Sequence, residues 1–328
     1  MLTMIDFNDA EIARGVYYGG DAGAKNAILY EGEAWMLKYP KTTRGQMNPQ
    51  VSYTTSPLSE YLGSRIYETL GIPVHETMLG VRSGKIVVAC KDFTRYRQGG
   101  LPQESRDLSL KKLLVPFHDL KNSFMTGDVE SYSGTGSETL LDEVLAALSG
   151  QEELRAIPGV TERFWDMFVV DAFIGNNDRN NGNWGILIDP GNGEASLAPV
   201  YDNGNAFFNK RSLAQMERRI HDEKMMREDA YLNPLCAYKY TGLDKEGQKI
   251  NPFTFIRRGE NVDCNTAVAR FADIVDFQRI ENLVRSIPET AGTLAVMPEI
   301  QKEFYLRLMQ VRLDQVLLPA AATVASHG

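Results

Sequence analysis

Cysteine and histidine are scarce in this chain of 328 residues. It has three cysteines, Cys90, Cys236 and Cys264, and four histidines. The cysteines form neither a Cys-x-x-Cys pair nor a Cys/His spacing of the kind that holds zinc, and an odd number does not suit a disulfide framework. We therefore expect no structural zinc and interpret the cysteines as reduced, mostly buried side chains.

Long apolar runs and clusters of positive charge are also missing. No run approaches the roughly 20 apolar residues that a membrane helix needs. The N-terminal segment contains Asp6, Asp9 and Glu11, where a signal peptide would carry positive charge. The net charge is -8, and the basic residues stand in short groups mixed with acids. Direct nucleic-acid binding needs clustered Lys and Arg. We expect a monomer that is cytoplasmic as synthesised, with no membrane partner and no direct nucleic-acid partner.

Asparagine and glycine are instead concentrated in one segment, residues 175–185, which directly follows a long apolar run. This composition is typical of a polar, tightly turning loop. The loop contains Asp178 and Asn183, and a second polar turn at residues 201–204 contains Asp202. The two loops together offer three oxygen-bearing side chains, which makes them the candidate functional centre.

Strand patterns and one helix occupy about the first ninety residues. Strands are predicted near residues 16–18, 27–30, 34–39, 74–81 and 85–90. A glycine-rich turn, residues 19–25, separates the first two. A helix is predicted from Ser56 to Gly71, with an apolar seam of Leu58, Leu62, Ile66 and Leu70.

Beyond Phe93 the periodicity is mainly helical. Helices are predicted near residues 108–117, 138–148, 161–174, 212–228, 265–275, 278–286 and 298–317. The predicted fold class is α+β. An antiparallel sheet with one helix forms an N-terminal lobe (1–92), a larger, mainly helical C-terminal lobe follows (93–318), and the tail (319–328) is expected to be flexible.

These elements suit the binding of a nucleotide triphosphate. The glycine-rich turn contains Gly20, Gly23, Ala24 and Lys25, and its backbone N–H groups can approach phosphate oxygens closely. Lys38 is a charge in an otherwise apolar strand and would bring positive charge to the phosphates. The alternative is that the turn is a tight hairpin only and that Lys38 extends from a strand end into solvent.

Glu60, on the predicted helix, would pair with Lys38 and fix its rotamer. Asp178 would accept the proton of an attacking hydroxyl, and Asn183 and Asp202 would be ligands for Mg²⁺. The interval supports this interpretation, because a metal-binding asparagine follows the catalytic aspartate by five residues in protein kinases, as Asn183 follows Asp178. The alternatives are a solvated Glu60 and aspartates that only brace their turns.

Several segments resemble the HipA-like kinases, in particular the small, cell-translocating serine/threonine kinases of that family. They are residues 59–61, Gly80 with 85–93, 164–169, 178–179 and 182–185. The resemblance implies a bilobal protein-kinase-like fold that uses ATP and Mg²⁺ to phosphorylate serine or threonine in an unidentified protein substrate and in itself. It assigns the same roles as above to Lys38, Asp178, Asn183 and Asp202, and it places Lys91 to Phe93 as the hinge against adenine.

Two positions depart from the family pattern. Asn180 stands where relatives usually have histidine, and we keep it as a candidate nucleotide contact. The second departure is the triplet Asp202-Asn203-Gly204, which stands in place of Asp-Phe-Gly. Three alternatives follow: a phosphoinositide or small-molecule kinase on the same scaffold, a toxin-type HipA module that acts through an antitoxin and DNA, and a pseudokinase that only binds nucleotide. The resemblance also implies an alternative to a cytoplasmic location, in which the protein is secreted or translocated into a host cell.

Overall fold

The computed structural model describes residues 2–18, 24–45, 51–95, 112–125, 139–241 and 247–327. The strands are β1 Ile5–Asp6, β2 Glu11–Ile12, β3 Lys25–Tyr30, β4 Glu33–Lys38, β5 Thr77–Arg82, β6 Lys85–Lys91, β7 Leu113–Pro116, β8 Gly185–Ile188, β9 Ala195–Leu197, β10 Thr290–Ala291 and β11 Leu294–Ala295. The helices are α1 Ser56–Thr69, α2 Phe117–Met125, α3 Leu141–Gly150, α4 Glu152–Arg155, α5 Val160–Ile174, α6 Leu213–Ile220, α7 Glu223–Arg227, α8 Pro252–Arg258, α9 Val262–Ile274, α10 Phe277–Ser286, α11 Glu299–Arg312 and α12 Leu318–His327. Two π-helical segments are Glu228–Leu232 and Leu313–Leu317. Within these described ranges, no helix is long and apolar enough to cross a membrane.

Contacts group the chain into two compact units. The first contains Met1–Leu113, Asn203–Asp222 and Asp276–Leu306, and the second contains Leu114–Asp202, Glu223–Val275 and Arg307–Gly328. The first unit therefore takes in two late segments besides the predicted N-terminal sheet. Neither unit is one continuous stretch of chain.

The first unit contains a six-stranded sheet in the order β1-β5-β6-β4-β3-β2. All neighbours are antiparallel except β1 and β5, which are parallel. Trp35 and Leu37 of β4 are buried in one core cluster with Phe7 and Val87. Because side chains alternate along a strand, Lys38 lies on the opposite face from these two residues.

Helix α1 packs against β5 and β6. Its predicted apolar seam is buried from Leu58 to Leu70, and Pro57 occupies the first turn, where its missing N–H costs no hydrogen bond. Ser59, Glu60 and Ser64 are also buried. The helix is thus enclosed on polar as well as apolar sides, and each buried polar group needs a partner.

Helix α5, in the second unit, matches the predicted buried helix closely. Most of its residues from Phe164 to Ile174 are buried, and it packs against α9. It ends at Gly175, which has a φ of 73°, the left-handed conformation typical of a helix C-terminus. The candidate loop begins directly after this glycine.

One predicted helix is wrong. Residues 113–116 of the predicted helix 108–117 form strand β7, in a three-stranded sheet with β8 and β9, and α2 begins only at Phe117. The run Leu113-Leu114-Val115 can pair as a strand, and Pro116 ends it because proline has no N–H to donate. Residues 108–111 lie outside the described residues, as does the polar stretch 126–136.

The tail that was expected to be flexible is helical as far as His327. Its alanines favour helix. Pro319 has no N–H, so it cannot donate to the carbonyl oxygen of Gln315, four residues earlier. Arg257 Nη2 donates to that oxygen instead, at 3.1 Å.

Candidate functional site

Lys38 and Glu60 form a buried ion pair in the first unit. Lys38 Nζ donates to Glu60 Oε2 at 2.7 Å, and the side chains are 14% and 1% exposed. Lys38 is the last residue of β4, and Glu60 lies in the second turn of α1. The predicted pair is therefore present, and it joins the sheet to the helix.

The second carboxylate oxygen of Glu60 also has partners. The backbone N–H of Asn203 donates to Oε1 at 3.0 Å, and His75 Nε2 lies 3.0 Å from the same atom. Burial opposes ionisation of Glu60, but the Lys38 ammonium and the His75 hydrogen bond outweigh it and hold the pKa of this carboxyl well below its ordinary value. Glu60 is thus ionised, and both of its carboxylate oxygens have polar partners.

Glu60, His75 and Cys90 each place one ligand atom within 4.8 Å of the others. This is a spacing at which His, Cys and Glu can share a metal ion, and the sequence showed no sign of it. The Lys38 ammonium already neutralises Glu60, and a second cation beside it would be repelled. The arrangement therefore fits a charge pair better than a metal centre.

The predicted nucleotide contacts of the first unit are only partly described. Gly20 and Gly23 lie outside the described residues. Ala24 precedes β3, and Lys25 is paired across the sheet with Lys38. The phosphate role of the glycine-rich turn stays a prediction.

The predicted hinge begins at Lys91, the last residue of β6. Lys91 Nζ bonds Glu33 at 2.9 Å and Glu76 at 3.1 Å; partial burial lowers its pKa, but these hydrogen bonds outweigh that effect and raise it overall. Phe93 stands, half-buried, in the turn that follows. The hinge is thus tied to the sheet by its charged residue.

Asp92, between these two residues, organises the turn. Its carboxylate accepts from Thr94 N at 2.9 Å and from the Tyr18 hydroxyl at 2.9 Å. Burial, and then the charge of Asp92, raise the pKa of Tyr18 above its ordinary value. Tyr18 is therefore a neutral donor at physiological pH, and Asp92 has an anchoring role that the sequence did not reveal.

The asparagine-rich loop of the second unit is held together by hydrogen bonds between its own side chains and backbone. The Asp178 carbonyl oxygen accepts from Asn183 Nδ2 at 2.6 Å. The Asn180 amide donates to Asp178 Oδ1 at 3.2 Å and accepts from Gly182 N at 2.9 Å. The side-chain nitrogen of Asn183 is used in this hydrogen bond, and its amide oxygen lies on the side away from the Asp178 carbonyl. An amide oxygen is the atom of asparagine that can bind a metal ion.

A buried arginine holds this loop to the segment that leads to Asp202. Arg179 is paired with Asp171 of α5 through Nε and Nη2, at 2.8 and 3.1 Å. Its Nη1 donates to the carbonyl oxygens of Asn183, at 2.9 Å, and of Tyr201. One side chain thus fixes the backbone at both predicted metal ligands, at Asn183 itself and directly before Asp202.

Asp202 itself has a φ of 60°. Aspartate is among the few residues that adopt this conformation at modest cost, and such backbone is common at functional sites. A carboxylate and an amide oxygen are ligands that Mg²⁺ prefers. Asp202 and Asn183 therefore fit a magnesium site in ligand chemistry.

The start of the loop is buttressed by Arg312. This buried side chain donates from Nη1 to the carbonyl oxygen of Phe173 at 3.0 Å and from Nε to that of Ala230 at 2.9 Å. It satisfies a carbonyl at the end of α5, where a cation is also favoured by the helix dipole. The helix therefore ends at a fixed point three residues before Asp178.

Comparison with known proteins identifies the family. The HipA-like C-terminal domain matches residues 20–274. The chain belongs to this HipA-like family. Serine/threonine-protein kinase CtkA of Helicobacter pylori strain J99 is 32% identical over 317 residues, which cover 96% of this chain and 87% of CtkA.

Two solved structures extend the relationship. The crystal structure of the Helicobacter pylori proinflammatory kinase CtkA has a TM-score of 0.82 at 28% identity and covers 99% of this chain and 100% of its own. HipA of Shewanella oneidensis MR-1, solved with HipB and operator DNA, has a TM-score of 0.58 at 13% identity, over 95% of this chain and 69% of its own; this likeness shows the fold alone. The predicted HipA-like family, the α+β kinase-like fold and the assignment as a kinase are confirmed. The roles of individual residues stay predictions.

Residue roles that sequence reasoning missed are mainly supporting ones. Asp171 is an acid in an otherwise apolar helix, and a buried acid needs a partner; this signal could have pointed to Arg179. His75 and Asn203 carried no comparable signal, because their partners are distant in sequence.

Proposed function

We propose that this HipA-like chain is an ATP-dependent serine/threonine protein kinase that also phosphorylates itself. The observation that carries the proposal is the buried pair of Lys38 and Glu60, since a lysine held in one rotamer by a glutamate is how kinases position ATP phosphates. The kinship with CtkA supports a protein hydroxyl as acceptor. Ala24, Lys25 and Phe93 would add backbone and hinge contacts to the nucleotide.

In the proposed reaction Asp178 accepts the proton of the attacking hydroxyl. The hydroxyl oxygen forms a bond to the γ-phosphorus, the bond from that phosphorus to the β-γ bridging oxygen breaks, and ADP leaves. Asn183 and Asp202 would hold Mg²⁺, which supplies positive charge to the phosphates. The loop geometry supports this role, because Asn180 and Arg179 hold Asp178 and its neighbours in place, and preorganisation is the main contribution of a protein to phosphoryl transfer.

The test is phosphate incorporation from labelled ATP and Mg²⁺, with mass-spectrometric mapping of the modified residues. Replacing Asp178 by Asn should lower the rate by about 10²- to 10⁴-fold, the range for loss of a general base. Asp189→Asn is the matched control, because Asp189 lies in the β8–β9 turn, where it accepts from Gly191 N. Equal rates for Asp178→Asn and the unsubstituted chain would overturn the site assignment. Transfer to phosphoinositides and not to protein would favour the lipid-kinase alternative.

A further inference from the structure

The segment that follows Asp202 is hydrogen-bonded to helix α1 and to Thr55, the residue that precedes it. Thr55 N donates to the carbonyl oxygen of Asn209 at 2.8 Å, and Ser59 Oγ donates to that of Ala206 at 3.1 Å. Asn203 lies at the start of the segment and bonds Glu60. These contacts explain why α1 carries buried hydroxyl groups, which are short enough to let another backbone come close.

Asn203 makes the most specific of these contacts. It is fully buried. Its backbone N–H donates to Glu60 Oε1 at 3.0 Å, and its side-chain Nδ2 donates to Ser64 Oγ at 3.0 Å. One residue thus bonds two positions on successive turns of α1, and the side-chain bond fixes where the backbone N–H points.

His75 completes the set. Its Nε2 lies 3.0 Å from Glu60 Oε1 and 3.1 Å from Ser64 Oγ. Because the ionised carboxylate of Glu60 can only accept, the short contact requires a proton on Nε2. That proton has two acceptors within reach, and Ser64 is already engaged by Asn203. The arrangement therefore favours donation to Glu60.

The backbone of the next residue, Gly204, lies close to the same carboxylate. A Cβ at this position would lie 3.0 Å from Glu60 Oε2, so a side chain would push on the oxygen that holds Lys38. Asn203 and Gly204 therefore both fit around Glu60.

In protein kinases, packing of the phenylalanine in Asp-Phe-Gly sets the active or inactive arrangement. Here the middle residue makes hydrogen bonds. We propose that Asn203 is a positioning residue: through Ser64 and its own backbone N–H it holds Glu60 toward Lys38, so that the segment after Asp202 is attached to α1 by a polar latch. The latch consists of Glu60, Ser64, His75 and Asn203, and its effect on catalysis rests on the proposed function.

The test compares four forms of the full chain with the unsubstituted protein: Asn203→Leu, Ser64→Ala, the double variant and the control Asn282→Leu. Asn203→Leu keeps the side-chain size but removes the donor, and Ser64→Ala removes its acceptor with a minimal change in volume. Asn282 is exposed on α10. Thermal unfolding checks that each variant folds, and Ser64→Ala carries the test if the leucine variant does not.

The first readout is acetylation of Lys38 by N-hydroxysuccinimide acetate, followed by mass spectrometry, with the exposed Lys210 as internal reference. Lys38 is shielded by Glu60, so each single variant should raise its labelling relative to Lys210 by about two- to tenfold, the effect of one hydrogen bond between neutral groups. The double variant should match the stronger single variant, because both substitutions remove the same bond. The control should label as the unsubstituted protein does.

The second readout is KM for ATP against kcat in autophosphorylation, where Asn203→Leu should raise KM for ATP by a similar factor and change kcat less. Unchanged Lys38 labelling in both single variants, or additive effects in the double variant, would overturn the latch. If the unsubstituted protein transfers no phosphate at all, the proposed function fails, and Lys38 labelling still decides the latch.

Discussion

Asn180 determines how the carboxylate of Asp178 is held. Its Nδ2 donates to Asp178 Oδ1 at 3.2 Å and to the Asp178 carbonyl oxygen at 3.3 Å, and its Oδ1 accepts from Gly182 N at 2.9 Å. The family pattern that the sequence resembles has histidine at this position, and an imidazole N–H can also donate to a carboxylate. In this chain a neutral amide therefore supplies the donor beside Asp178.

We predict that Asn180→Leu lowers kcat for phosphate incorporation by about ten- to a hundredfold, because Asp178 loses its orienting hydrogen bond. Asn180→His should stay within about threefold of the unsubstituted chain, since it restores a donor. Steady-state assays with ATP and Mg²⁺ measure both, and Asn192→Leu in the exposed β8–β9 turn is the control. A fully active leucine variant would show that Asn180 does not orient Asp178.

At the scale of the element, the end of α5 decides where the asparagine-rich loop starts. Gly175 has a φ of 73°, and a Cβ there would lie 2.9 Å from Arg312 Nη1. Gly193 has a φ of 75° with nothing within 4 Å of a Cβ. The two glycines share the backbone strain but differ in the neighbouring guanidinium, so they form a matched pair.

Gly193→Ala should lower the free energy of unfolding by about 1 kcal/mol, the cost of a left-handed alanine. Gly175→Ala should cost about 2 kcal/mol more, because the added methyl group displaces Arg312 from buried carbonyl groups. Urea unfolding of both variants measures the difference. Equal losses would mean that Arg312 moves aside freely and does not buttress the loop.

The elements that the sequence predicted well are those whose signal is local. Helix α5 follows from its apolar run, and the pair of Lys38 and Glu60 follows from a charge in an apolar strand and a kinase-like order of motifs. Asn203 could not be predicted, because its role depends on Ser64, which is 139 positions away in the chain. Strand β7 was missed for a related reason: whether Leu113-Leu114-Val115 is helical or extended depends on pairing with β8.

At the scale of the whole molecule, distant segments complete the first unit. Its residues come from three stretches of chain, and the Glu60 carboxylate alone contacts Lys38, His75 and Asn203, which are far apart in sequence. Loss of this one charge would loosen the sheet, α1 and the segment after Asp202 together. The stability of the molecule should therefore respond to the ionisation of Glu60.

The direction of that response follows from the pKa of Glu60, which lies below its ordinary value of 4.5 in the folded chain. Such a carboxyl stabilises the fold above its unfolded pKa, and the contribution is lost progressively as the pH falls toward the folded value. Glu60→Gln should lower the free energy of unfolding by about 3 kcal/mol near neutral pH, because Lys38 loses its buried counter-ion. The difference in the free energy of unfolding between this variant and the unsubstituted chain, called the gap below, should stay constant down to about pH 5 and narrow at lower pH.

Urea unfolding at intervals from about pH 7 to about pH 3.5 tests this dependence. The exposed Glu217 provides the control, since Glu217→Gln should shift stability by no more than about 0.5 kcal/mol at neutral pH. A difference in the free energy of unfolding that stays constant to the lowest pH would mean that Glu60 titrates alike in the folded and the unfolded chain, so that its pKa is not lowered by folding. A gap that widens on acidification would contradict the sign itself, because it would require a pKa raised by burial, with Lys38 and His75 too weakly coupled to Glu60 to hold the latch.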